Sequence, residues 1–166
     1  MWTTQAIQTV IPSSWDMALS VLSLVGSFEI TTILVVGAGW LIRKNLKKLA
    51  IILVIYAGGM GIELAGKTFI NHPGPPEVYH RYQLSFVFPS SGVQTGNSYP
   101  SGHSYRTVFL AVLAWPLIKK KEWRAVVMAY VFLMLVSRVS LGEHWASDVV
   151  GGGLLGIILG RIASRK

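Results

Sequence analysis

Two short strings in this chain carry groups that can do chemistry together. Ser137, Arg138, His144 and Asp148 spell S-R-x-x-x-x-x-H-x-x-x-D, and Pro100-Ser101-Gly102-His103 lies upstream. They set two imidazoles, a guanidinium and a carboxylate at the ends of apolar stretches. His144 and Asp148 are four residues apart, so they share one face of a helix that begins near Glu143. A carboxylate there can accept from one ring nitrogen and fix the tautomer, which leaves the lone pair of the other nitrogen free to attack. The same pair also suits a plain helix start, where the dipole favours an acidic residue; the full string tips the reading toward chemistry. Ser101, Gly102 and His103 fall at a helix N-terminus, whose unpaired N–H groups and dipole favour a phosphate. Gly102 allows close backbone approach. His103 is a proton donor for a departing oxygen, and a phosphate beside it favours its charged form.

Lys67 and Arg138 add positive charge for phosphoryl oxygens, whose transition state is stabilised mainly by electrostatics. Each also has a plainer reading, Lys67 as a snorkelling lysine at a helix end and Arg138 as an interfacial anchor. Arg106, one turn after His103, faces either the same pocket or the bundle. Taken together the groups fit phosphoryl transfer at a membrane surface.

The elements that must position these groups are apolar helices. Hydrophobic residues make up 52% of the 166 residues and charged ones 13%, against about a quarter charged in a typical globular domain. A span needs about 20 mostly apolar residues, and five stretches approach that: roughly 15–42, 49–70, 103–118, 123–140 and 146–163. The expected fold is therefore all-α, a polytopic transmembrane helix bundle of five spans forming one integral-membrane domain over 1–166. Residues 1–13 lack the Lys or Arg that a signal peptide's first region needs. Trp2, Ala6 and Val10 recur at helical spacing there, which fits a segment lying flat in the interface or a frayed terminus. Glu29 falls inside the first expected span, where it must face the bundle or water. Gly152, Gly156 and Gly160 give the last helix a face for close packing. Residues 71–101 form a long outer loop in which Tyr79, Tyr82 and Tyr99 suit the interface and Phe86-Val87-Phe88 can dip into lipid. There is no cysteine, which excludes disulfides and thiolate chemistry.

The net charge of +8 reports topology rather than nucleic acid. Arg43, Lys44, Lys47, Lys48, Lys119, Lys120, Lys121, Arg124, Arg161, Arg165 and Lys166 all fall on one side of a five-span arrangement, which the positive-inside rule makes cytoplasmic. The N-terminus is then outside and the C-terminus inside. Lys67, Arg81, Arg106 and Arg138 remain on the outer side, where an anionic ligand gives them a reason to be. In this topology Lys67, His103, Arg138, His144 and Asp148 meet at one depth. Glu63, four residues before Lys67, can pair with it, either structurally or to orient the lysine.

At these residues the chain resembles the type-2 phosphatidic acid phosphatase superfamily, which includes membrane lipid phosphatases, glucose-6-phosphatase and vanadium haloperoxidases. The second and third motifs of that family, P-S-G-H and S-R-x-x-x-x-x-H-x-x-x-D, are present without departure. The first, K-x-x-x-x-x-x-R-P, departs: Lys67 is followed by Gly74-Pro75 where the family has Arg-Pro, with His72, Arg81 or Arg106 as possible substitutes. Membrane members commonly have six spans, one more than are read here. The resemblance implies a cofactor-free, metal-independent mechanism in which His144 attacks phosphorus, Asp148 orients it, and His103 protonates the leaving group and then activates water. It also implies that Lys67, Ser101, Gly102 and Arg138 hold the phosphate, with Arg106 beside them.

The implied activity is hydrolysis of a membrane lipid phosphate or diphosphate on the extracytoplasmic face. Polyprenyl diphosphate, phosphatidylglycerophosphate and phosphatidic acid are the candidate substrates, the first slightly preferred for its small headgroup. The small size and bare helices fit a prokaryotic plasma membrane. Two other readings stand beside this one: transfer of the phosphoryl group to a lipid or sugar hydroxyl, and a phospholipid-binding or transport protein disabled by the missing arginine. Haloperoxidase activity is not expected, because those members are soluble.

Overall fold

A computed structural model describes residues 2–86, 88 and 96–165. Among these residues seven α-helices follow one another: α1 (Trp2–Val10), α2 (Asp16–Val25), α3 (Phe28–Arg43), α4 (Leu46–Phe69), α5 (Gly102–Ala114), α6 (Lys121–Ser140) and α7 (Ala146–Ser164). Among the described residues there is no strand, only an isolated antiparallel bridge between Pro73 and Asn97. The all-helical membrane bundle expected from sequence is what forms.

Two of the five expected spans take another shape. The first, 15–42, is two helices, α2 and α3, bent by 49° at a short break. Gly26-Ser27 sits at that break, the kind of pair at which helices kink. Ser27 adopts an extended backbone (φ −62°, ψ 158°) and starts α3 afresh. The break moves Glu29 from a span interior to the first turn of α3, where the dipole favours it. The third expected span, 103–118, is a 13-residue helix followed by a 3-10 turn at Trp115–Leu117. At 1.5 Å per residue α5 is about 20 Å long, short of the roughly 30 Å hydrocarbon core. It needs no more, because α3, α4, α6 and α7 pack around it. By length and composition, among the described residues, α4, α6 and α7 can cross a bilayer, and the bent α2–α3 pair makes a fourth crossing if its two helices form one span.

The core lies where α5 meets these neighbours, at Val35, Ile52, Tyr56, Tyr105, Phe109, Leu113 and Ala163. Tyr56 touches Tyr105 and Phe109 at ring-centroid distances of 6.0 and 5.3 Å, contacts worth about 0.5–1.5 kcal/mol each beyond area burial. The Tyr105 hydroxyl donates to the Tyr56 carbonyl at 2.7 Å. The glycine face of α7 lies against α5 as expected: a Cβ at Gly152 would fall 2.2 Å from the Ser101 carbonyl oxygen, and one at Gly156 2.6 Å from that of Tyr105.

The N-terminal segment is a docked helix. Gln8 Nε2 on α1 donates to the Tyr79 and Ser140 carbonyls at 2.8 and 2.9 Å, while Trp2 and Val10 stay exposed. Arg81 returns the tie, pairing with Asp16 at 3.1 Å and donating to the Ile11 carbonyl at 3.2 Å. Arg81 is thus committed to structure and does not replace the missing motif arginine. Asn97 closes the base of the long loop, accepting from His72 N at 2.9 Å and donating to the Lys67 carbonyl at 3.0 Å. Of the Phe86-Val87-Phe88 run, Val87 lies outside the described residues.

Candidate functional site

Helix ends at one pole of the bundle surround a cavity of about 660 Å³. Lys67 reaches it from the end of α4, and Gly102, His103 and Arg106 from the first turns of α5. Arg138 comes from the end of α6 and His144 from the link into α7. All six line that cavity; Asp148, expected at the same depth, is fully buried beside His144 and outside the lining, and Arg106, left open between pocket and bundle, faces the pocket. The broken helix contributes Ser23, Leu24, Ser27 and Phe28, and the long loop contributes Tyr82 and Phe88.

The short link between α6 and α7 explains how His144 arrives. The N–H groups of Glu143 and His144 both lie 3.1 Å from the Arg138 carbonyl oxygen, so the chain wraps around the helix end. Gly142 makes the reversal with φ +71°, a left-handed conformation that glycine adopts without penalty. His144 Nδ1 then lies 3.3 Å from Asp148 Oδ2, which also accepts from Trp145 N at 2.9 Å. Asp148 is therefore at once a helix-start residue and the hydrogen-bond partner of the His144 ring. A carboxylate accepts only, so Nδ1 carries the proton and Nε2 keeps the lone pair. Burial lowers the His144 pKa below the usual imidazole value; the Asp148 hydrogen bond opposes this and the Arg138 charge adds to it. This direction favours the neutral ring at neutral pH.

Arg138 is buried, with Nη1 donating to Ser23 Oγ and Nη2 3.4 Å from Glu143 Oε2. Its partners hold it to the cavity wall from two sides. Lys67 Nζ lies 2.8 Å from Glu63 Oε1, the pair anticipated from spacing. Glu63 Oε2 in turn lies 3.0 Å from Arg106 Nη1. This second contact joins residues 43 apart in sequence, so no local pattern announces it.

Two residues named from the sequence, Ser101 and the possible substitute His72, sit outside the cavity lining. Ser101 is fully buried and caps α5, its hydroxyl accepting from Ser104 N at 3.4 Å; the cap leaves it outside the cavity lining. His72 lies behind Asp148, its Nε2 2.9 Å from Oδ1 and 3.2 Å from Ser147 Oγ. It lines a smaller neighbouring pocket with Trp145 and Ser147. Gly74 does line the main cavity, with only Ser98 Cβ at 3.6 Å from where a side chain would start. Of the three candidates to replace the missing arginine, Arg106 is the one that lines this cavity.

The site is thus a cavity at one end of an all-helical membrane bundle, lined by three imidazoles, His80, His103 and His144, and three cations, Lys67, Arg106 and Arg138. A sequence model described as the PAP2 superfamily matches residues 48–166, and the chain belongs to that superfamily. It is 28% identical over 136 residues to phosphatidylglycerophosphatase B of Bacillus subtilis, covering 80% of this chain and 64% of that protein. It is also 28% identical over 123 residues to the bacitracin transport permease protein BcrC of Bacillus licheniformis, covering 72% and 56%. The chain thus spans somewhat under two thirds of the length of these relatives. The crystal structure of Aquifex aeolicus LpxE superposes with a TM-score of 0.74 at 22% identity, covering 97% of this chain and 92% of that one, which is a likeness of fold.

Proposed function

We propose that this chain is an integral-membrane lipid phosphatase that cleaves a phosphate or diphosphate ester through a phosphohistidine. The observation that carries this is His144, with its Nδ1 held by Asp148 and its ring lining a cavity shared with His103, Lys67, Arg106 and Arg138. His144 Nε2 attacks phosphorus, the bond from phosphorus to the lipid oxygen breaks, and His103 gives that oxygen its proton. His103 then takes a proton from water, whose oxygen bonds to phosphorus as the phosphorus–nitrogen bond breaks, releasing inorganic phosphate and free His144. Lys67, Arg106, Arg138 and the backbone at Gly102 hold the phosphoryl oxygens; Ser101 supports them by capping α5. Positive side chains here supply the charge that metals supply in other phosphoryl-transfer sites.

Membership of the superfamily and the similarity to a phosphatidylglycerophosphatase support this reading. Phosphatidylglycerophosphate, phosphatidic acid and a polyprenyl diphosphate are the substrates to test, each placing its phosphate at headgroup level while its tails stay in the bilayer. The charge pattern supports a site on the extracytoplasmic face. Purified protein should release inorganic phosphate from at least one of the three lipids with a chelator present, and His144→Ala should release none while eluting as the same species. Phosphate release that vanishes with the chelator overturns the metal-free chemistry. No release from any lipid, with binding retained, favours instead a lipid-binding or transport role, the second reading that similarity to a transport permease protein supports.

A further inference from the structure

Two of the cavity's cations share one carboxylate. Glu63 Oε1 lies 2.8 Å from Lys67 Nζ, and Oε2 lies 3.0 Å from Arg106 Nη1. Glu63 is 9% exposed and Arg106 8%. A buried carboxylate is costly unless charged partners surround it, and each oxygen here has its own. The room for it is made by Gly102: a Cβ there would fall 2.1 Å from Glu63 Oε1. Glycine at this position therefore lets α4 reach across to the first turn of α5. Arg106 is held from its other side as well, its Nε 3.5 Å from the Gly26 carbonyl oxygen at the break between α2 and α3. A carboxylate beside a phosphate site repels its ligand, so its value there is geometric rather than electrostatic.

We propose that Glu63 is a positioning residue that fixes Lys67 and Arg106 in phosphate-binding poses, so that Arg106 stands in for the guanidinium missing at Gly74. The proposal rests on the phosphatase reading above. It separates the carboxylate from the cations by sign: losing a cation weakens phosphate binding, whereas losing Glu63 disorders the cations without removing positive charge.

Three variants test it: Glu63→Gln, which keeps the side chain's shape, Arg106→Met, and the pair combined. Arg106→Met should lower kcat by about 100-fold, the size of losing one oriented donor, and weaken inhibition by inorganic phosphate. Glu63→Gln should lower kcat by about 10-fold or more, with inhibition by phosphate weakened clearly less than by Arg106→Met, because both cations remain. The double variant should lose clearly less than the product of the two separate losses. Losses that multiply, or phosphate inhibition weakened by Glu63→Gln as by Arg106→Met, would overturn the positioning role. Thermal shift on adding inorganic phosphate reads the same coupling without turnover. If the parent hydrolyses no lipid, the phosphatase reading fails, while the thermal shifts of the four proteins still decide whether Glu63 and Arg106 act as a unit.

Discussion

The ring of His144 is held by a carboxylate that is itself fixed by a helix-start N–H, which gives this residue a single tautomer and a defined protonation state. Burial is the largest influence on its pKa and pushes it down. The neutral form of the ring is then the folded state's preferred one, and it persists to lower pH than in a free imidazole. Imidazole NMR of the purified protein without phosphate should place the His144 midpoint below about 6.5, the usual imidazole value. A midpoint at or above that value would mean that the Asp148 hydrogen bond outweighs burial. His144, Asp148 and Lys67 were legible because each partner lies within one helical turn or one fixed motif spacing. The Glu63–Arg106 contact was not, because it depends on the register between α4 and α5. The placements of His72 and Ser101 were hidden for a related reason: a motif shows which residues are near the site, not which way each side chain turns.

At the scale of elements, the helix starts that carry His103 and Asp148 are set by the packing of α5 against α7. That packing is so close that α7 presents glycine to α5 backbone carbonyls. Gly156→Leu should therefore lower the melting temperature in detergent by about 5 °C or more, since overpacking against backbone costs at least about 1–3 kcal/mol. Gly153→Ala is the matched control, because a Cβ there meets nothing within 4 Å, and it should leave melting unchanged. Equal effects at both positions would remove the close-approach account. Hydropathy located these helices but misjudged two of them, for different reasons. A window of apolar residues averages over Gly26-Ser27 and misses the break. It also counts the apolar residues of α5 without registering that four other helices, rather than lipid, surround it. The docking of α1 was half legible: its apolar spacing showed in the sequence, while the Gln8 and Arg81 ties that hold it to the bundle did not.

For the whole molecule, charge and chemistry divide between two poles. Basic residues gather where α3, α5 and α7 end and α4 and α6 begin, and the cavity lies at the opposite pole. The positive-inside rule turns this division into an orientation. The chain has no cysteine, so single thiols report topology cleanly. Val78→Cys, on the exposed loop at the cavity pole, should react with an impermeant thiol reagent in intact cells. Glu122→Cys, at the start of α6, should react only after permeabilisation; the reverse pattern would put the site in the cytoplasm. The claim on which the account turns is that His144 takes the phosphoryl group itself. It is tested most directly by quenching turnover of radiolabelled phosphatidylglycerophosphate, or whichever lipid phosphate the protein cleaves, in alkali and mapping the labelled peptide. The account predicts acid-labile label on His144 that accumulates in His103→Ala, where hydrolysis of the intermediate slows, and is absent in His144→Ala. Lipid cleavage with no label on His144, in the parent and in His103→Ala alike, would contradict it.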